Sequence, residues 1–370
     1  MYVGQVALVL GAGAGLAQAE HFRPQRGRAS IPPLDYTFFE RIRDLKVHIP
    51  RQLRKYAEDY PGPDPFSPRI GDTPLRMEEF LKDLFYDFQQ AKRGSGTATA
   101  YSQMVEICAG VLRDTTNWIC TDTRTEGPIG RLIAEAAQRA RKVSVITFNH
   151  DLVIENEIFK RARLRPRWCL ELGYGNVVSR FKRFTKPASG SLFPDHSVDC
   201  EHSRGIQLFK LHGSLNWYVT YRGGRYPTPG QLLGTSRTPP TLYVTHRRVI
   251  AQQFKHRAGT QVSRTWPVLI PPIYGKEEMI RRLVSEAWTD ARSALKGADR
   301  VVFFGYSLPA LDIQAEKMVQ RALADNTKAP RLDVIDPAPT AAARYASIAP
   351  RKPLRWFSSM ESFLVAQGLD

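Results

Sequence analysis

VALVLGAGAGLAQAEHF, running from Val6 to Phe22, admits two readings with opposite consequences. As an export signal it offers an apolar run followed by Ala17-Gln18-Ala19, a small-x-small pattern that a signal peptidase cuts. As a nucleotide site it offers a strand buried on both faces that runs into a glycine loop. The export reading has two defects. No basic side chain precedes the apolar run, the first candidates being His21 and Arg23, and three glycines interrupt what should be a helical core. The glycine reading is weak alone, because Gly11, Gly13 and Gly15 follow G-x-G-x-G and not G-x-G-x-x-G. The rest of the chain has to arbitrate.

Further short apolar runs follow: Val143–Phe148, Ile206–Phe209, Val268–Ile270, Arg300–Phe304, Leu332–Ile335 and Leu354–Phe357. Helical patterns flank several of them. Ile280, Leu283, Val284, Ala287, Trp288, Ala291 and Leu295 form one stripe at 3.6-residue spacing, ahead of the Val301 strand. Such alternation predicts an α/β, Rossmann-like domain with a mostly parallel sheet. One domain is expected over 1–370, with core segments 1–34, 142–160, 205–217 and 266–370. Residues 35–141 read as an inserted helical module: Thr73-Pro74 caps a helix bearing Phe80, Leu81, Leu84, Phe85 and Phe88, a second helix covers Tyr101–Leu112, and a third follows Pro128. Tyr56–Pro68 reads as a loop. Residues 161–204 and 218–265 read as basic, loop-rich insertions, the second β-rich.

Composition narrows the function classes. A chain 42% hydrophobic and 24% charged can bury a globular core, and no run of about 18 apolar residues offers a membrane span. Cys108, Cys120, Cys169 and Cys200 are scattered with no C-x-x-C, which argues against a disulfide framework or a four-cysteine zinc ribbon and favours a reducing, cytoplasmic setting. Lys and Arg number 53 against 36 Asp and Glu, a net charge of +17. Lys160, Arg161, Arg163, Arg165, Arg167, Arg180, Lys182, Arg183 and Lys186 form one basic group; Arg247, Arg248, Lys255, Arg257 and Arg264 form a looser one. Either is a solvated face or a surface for nucleic acid or an acidic partner.

The strand ends carry the chemistry. Thr147-Phe-Asn-His-Asp151 places Asn149 and Asp151 where open α/β sheets bind ligands, though an Asx turn would use the same residues. Lys210-Leu-His-Gly-Ser214 ends another strand with a histidine that can serve as a general base or merely pack in a turn. Gly305-Tyr-Ser-Leu-Pro309 with Asp312 ends a third, and Leu332-Asp-Val-Ile-Asp336-Pro ends a fourth with an acid placed for ribose hydroxyls.

Taken in this order, GAGAG, TFNHD, KLHGS, GYSLP with Asp312, and VIDP resemble the sirtuin-like (silent-information-regulator-type) superfamily in its bacterial branch, from residue 7 to about 337. Pro32-Pro33-Leu34 and Pro271-Pro272 ahead of a Trp288-bearing helix add to the resemblance. It implies a fold that binds NAD as substrate. Gly11, Ala12 and Gly13 would line the pyrophosphate; Thr147, Asn149 and Asp151 would hold the nicotinamide ribose and carboxamide; His212 matches the base. Gly305 and Ser307 match a phosphate- and ribose-binding turn, and Asp336 the adenosine ribose site. Family members often have Ser where Gly15 stands. The paired cysteines of the protein-deacylating zinc module are missing, and Cys169, His196, Cys200 and His202 are too loosely spaced for a metal site, so no zinc is expected. The resemblance therefore implies an NAD hydrolase of antiphage defence, as a homo-oligomer, paired with an ATPase or translocase or another defence protein, since no P-loop is present. A deacylase or ADP-ribosyl transferase, and a non-catalytic NAD- or ADP-ribose-binding module docked on nucleic acid, are the rival readings.

Overall fold

The computed structural model describes residues 3–22, 31–67, 75–91, 95–121, 126–161, 163–164, 167–168, 173–176, 181–183, 205–221, 242–244, 255–258, 261–271, 273 and 275–368. Strand β1 (Val3–Leu10) is the middle of the molecule. It pairs in parallel on one side with β2 (Ala140–Thr147) and on the other with β9 (Arg300–Phe304). From Val6 to Leu10 the side chains are almost entirely buried, as expected of a strand with apolar residues on both faces. The possible export segment is thus the central strand of the sheet. Gln18, the middle residue of its small-x-small pattern, is fully buried in α1 (Ala12–His21) and accepts a 2.9 Å hydrogen bond from Ile129 N. That bond satisfies one of the free N–H groups at the start of α6 (Pro128–Arg139) and fixes α6 against α1.

The sheet is completed by β4 (Ile206–Lys210), β10 (Arg331–Ile335) and β11 (Leu354–Phe357), in the order β11-β10-β9-β1-β2-β4, every pair parallel. The fold is therefore α/β and Rossmann-like. Between β1 and β2 lie α2 (Phe38–Asp44), α3 (Arg51–Glu58), α4 (Met77–Gln90), α5 (Gly96–Thr121) and α6. Edge-on aromatic contacts join Phe39, Phe66, Phe80, Tyr56 and Tyr60, and Phe88 stacks on Tyr101 at 4.4 Å, so this helical layer has its own apolar packing.

A second sheet has the order β3-β6-β5-β8-β7, from β3 (Phe181–Arg183), β5 (Gly213–Tyr221), β6 (Leu242–Val244), β7 (Lys255–Ala258) and β8 (Gln261–Leu269). Its β5 begins one residue after His212. The chain turns there through Gly213, at φ +83°, where a Cβ would lie 2.0 Å from Val268 O. Val268 and Leu269, read from sequence as part of the main core, belong to this antiparallel sheet.

Other local expectations shift. Residues 277–297 form two helices, α8 (Glu277–Leu283) and α9 (Ser285–Gly297), because Val284 (φ −141°, ψ 21°) breaks the apolar stripe. The Tyr101 helix extends over the whole of α5, and Tyr56 lies in α3, not in a loop. The Thr73-Pro74 cap lies outside the described residues; α4 starts after Arg76. After β9 come α10 (Ile313–Ala324), α11 (Pro339–Ile348) and α12 (Met360–Ala366).

Candidate active site

A cleft of 1230 Å³ runs across the carboxyl ends of the parallel strands, from Asp336 and Ser359 past Ala12, Gly13 and Gly15 to Asn149, His212 and Glu78. The glycine loop closes its middle by packing backbone on backbone. A Cβ on Gly11 would sit 2.5 Å from Gly305 O, and one on Gly305 would sit 2.2 Å from Ala14 N. Gly13 N already donates to Gly305 O at 3.0 Å. Gly11 and Gly305 are thus required where two loops touch, and part of the amide cradle is spent inside the fold. Ala12, Gly13 and Gly15 face the cleft, and Gly11 does not.

Asn149 and Asp151 stand over the first turn of α1. Asn149 Nδ2 donates to Gly11 O at 2.9 Å, and the position of a Cβ on Gly15 is 3.7 Å from that nitrogen and 3.9 Å from Asp151 Oδ2. Asp151 Oδ1 accepts from Val153 N at 2.9 Å, capping α7 (Val153–Lys160). Burial raises the Asp151 pKa, against the pull of Lys210. Thr147 is buried and spends its hydroxyl on Leu10 O and Asn149 N, so it shapes the turn and does not reach the cleft. Ser307 is exposed at the cleft mouth. Asp336, half-buried, accepts from Ala338 N through Oδ1; burial raises its pKa.

His212 is fixed from several sides. Its carbonyl accepts from Ile270 N at 2.9 Å, and Trp288 Nε1 donates to the preceding Leu211 O at 2.7 Å. Phe148, stacked on Tyr306 at 4.1 Å, meets the imidazole edge-on. Its Nε2 lies 2.8 Å from Lys276 Nζ and 3.2 Å from Asp312 Oδ2, while Lys276 Nζ donates to Asp312 Oδ1 at 2.8 Å. All three side chains are buried. The Asp312 carboxylate already faces the Lys276 ammonium, so a resting imidazolium would be a second buried cation and the imidazole is neutral at rest. Burial, and then the Lys276 charge, hold its pKa below the ordinary value, with Asp312 opposing. Burial also lowers the Lys276 pKa against the pull of Asp312. For Asp312, burial acts upward, but the positive charge it faces in the His212–Lys276 pair prevails and holds the carboxyl well below the usual range. Should the imidazole take up a proton, Asp312 Oδ2, 3.2 Å away, receives the new N–H.

Sequence reasoning named His212 and noted Asp312, but missed Lys276, which follows Gly275 in a segment without a motif. It also missed Lys210, whose ammonium reaches Asp151 O and Glu155 Oε1. A lone lysine closing an apolar strand was the available signal.

Removing the Lys276 ammonium takes away one of the two effects that depress His212. In Lys276→Met the His212 pKa therefore rises, and a histidine titration followed by NMR will show its midpoint at higher pH. Stability carries the same sign. A depressed imidazole binds its proton more readily in the unfolded chain, so the native protein loses stability as pH falls below about 6.5, and the variant loses less.

Among the described residues no group of three or more His, Cys, Asp or Glu could hold a metal; Cys169, His196, Cys200 and His202 lie outside them. No helix among them is long and apolar enough to cross a membrane. Of the basic groups, Lys160 and Arg161 pair with Glu157, and Arg167 donates to the carbonyls of Ala137 and Ala140. These three hold the fold together; Arg165, Arg180, Lys186, Arg247 and Arg248 lie outside the described residues.

No protein-family model matches the chain, and no curated protein matches it. Among solved structures it is similar to a Sir2 enzyme studied for mechanism and regulation, at 11% identity over 99% of this chain and 92% of that one, with a TM-score of 0.39. It is also similar to Sir2Tm bound to a propionylated peptide (10% identity, 99% and 94% covered, TM-score 0.35). A mutant Sir2 homologue in complex with ADP-ribose gives 12% identity, 100% and 95% covered, and a TM-score of 0.35. Scores this low mark a distant likeness and assign neither activity nor ligand to this chain.

Proposed function

We propose that the cleft binds NAD and that the chain cleaves the bond between nicotinamide and ribose, giving nicotinamide and, with water as acceptor, ADP-ribose. One observation carries this reading: a neutral, buried imidazole and the Asn149 carboxamide stand on the same strand-end cleft as the start of α1, in an elongated space bounded at its far end by a carboxylate, Asp336. An extended dinucleotide fits such a shape. Its diphosphate would lie near the N-terminus of α1, where the helix dipole favours negative charge, and a ribose would meet Asp336.

The chemistry asks little acid catalysis. The nicotinamide ring is already cationic, so the electron pair of the breaking C1′–N bond neutralises it as it leaves. Water adds to C1′, and its proton passes to His212. Asn149 orients the water and the ribose, and Asp151 Oδ2, beside Gly15, faces the carboxamide. The site supplies positioning and exclusion of bulk water. In a cell the outcome is NAD depletion, the effect that a role in antiphage defence uses.

The test is direct. Purified protein incubated with NAD alone should release nicotinamide and ADP-ribose in equal amounts. A requirement for an acylated peptide or an acceptor protein would replace this reading with group transfer. Binding without nicotinamide release would make the chain a binding module.

A further inference from the structure

We propose that Glu78 senses the positive charge of the pyridinium ring: its carboxyl, unpaired in the ligand-free cleft, gives its proton to solvent when a cationic ring enters beside it. This rests on the reading of the cleft as an NAD site. It adds a specificity group from the helical layer, one that no sequence motif marked.

Placement comes first. Glu78 is the second residue of α4 and lines the cleft together with Asp35, Asn149 and His212. Its backbone N–H donates to Asp35 Oδ1 at 2.8 Å, which pins the first turn of α4 to the short 3-10 helix Asp35–Thr37. Further along, Phe85 and Gln89 of α4 come within 3.9 Å of a Cβ position on Gly275, and Tyr101 OH of α5 lies 3.9 Å from Met279 Sδ. The helical layer is thereby seated on the segment that carries Lys276, and Glu78 shares the wall with the His212 cluster.

The carboxyl has no partner of its own. Glu78 is only 7% exposed, yet among the described residues its side chain makes no hydrogen bond and no ion pair. The neighbouring cations are committed elsewhere. Lys276 is held by Asp312 and His212, and Arg76 lies 3.9 Å from Asp35. The other charges facing it are Asp35 and Asp312, which repel a carboxylate; Glu79 and Lys82 stand further along α4 on the same cleft. Burial, then Asp35 and Asp312, push its pKa up to about 8, with Lys276 and Arg76 opposing. At pH 7 such a group is roughly nine-tenths neutral.

Burial and the facing Asp35 and Asp312 carboxyls both disfavour the charged form, so without a cation beside it Glu78 favours its proton. A fixed positive charge beside it reverses the balance. Within NAD only the pyridinium ring is cationic; NADH has the same outline with a neutral ring. The two forms therefore separate charge recognition from shape recognition.

The experiment is calorimetric titration of the His212→Ala protein, in which NAD persists, with NAD⁺ and with NADH at pH 7, in two buffers of different ionisation enthalpy. NAD⁺ should release close to one proton per site, and NADH none. Adding Glu78→Gln should abolish the release and weaken NAD⁺ roughly tenfold, with NADH unchanged. Equal proton release by NAD⁺ and NADH, or undiminished release in Glu78→Gln, overturns the proposal and leaves the NAD reading standing. Failure of both dinucleotides to bind overturns both. The NAD⁺/NADH contrast requires no change at Glu78, so it decides the matter even where Glu78→Gln folds poorly.

Discussion

Alanine at His212 is expected to lower nicotinamide release by about 10²- to 10⁴-fold, the range that a positioned general base supplies. The loss should fall on turnover and not on the fold. The backbone at this position is held by Ile270 N and, through Leu211, by Trp288 Nε1, none of which involves the imidazole. Lys276 and Asp312 keep each other as partners at 2.8 Å. Circular dichroism and thermal melting check the fold while chromatography follows nicotinamide. Asn149→Ala should also be severely impaired. Because its Nδ2 holds Gly11 O, this variant will show a small loss of stability as well. If both variants consumed NAD at the native rate, the cleft would have some other use.

The second large effect concerns folding. Lys210 is fully buried, with Glu155 Oε1 at 3.0 Å and the Asp151 carbonyl as its partners. Tyr174 OH donates to the same Glu155 oxygen at 2.8 Å, Asn216 Nδ2 donates to Tyr174 OH, and Ser214 donates to Asn216 Oδ1. The chain of bonds runs from the Asn149–Asp151 turn into β5. Lys210→Met leaves a carboxylate uncompensated in an apolar interior, at a cost of about 3–5 kcal/mol. In a protein of this size the melting temperature should drop by roughly 5 °C. Changing Glu155 to Gln in the same chain removes the stranded charge and should recover part of the loss. A single variant melting within a degree or two of the native protein would mean that water reaches this network.

The parallel sheet was legible because its strands are short apolar runs ending in small and polar residues, and burial on both faces dictates that pattern. Gly11, Asn149, His212 and Asp336 were legible as strand-end positions for the same reason. Local sequence carries no trace of contacts made across hundreds of residues. Lys276 meets His212 and Asp312 only after α8 has been placed, and Glu78 reaches the cleft only because α4 packs on the Lys276 segment. The break at Val284 was hidden as well, since an apolar stripe continues in phase across it. Thr147 misled in the opposite way: a polar residue at a strand end reads as a ligand group, yet its hydroxyl closes the turn.

The central position of β1 has a consequence for how the protein is made. One of the two neighbours of this strand, β9, is made some three hundred residues after it. The native pairings are long-range, and such topologies assemble slowly and late. A nascent chain that stops short of Arg300 lacks one wall of the central strand, the Gly305 backbone that seals the glycine loop, and Asp312. It should be unfolded and unable to touch dinucleotide, which limited expression of such a fragment would reveal. On the proposed reading, NAD cleavage would thus wait until β9 and the Asp312 turn have been made.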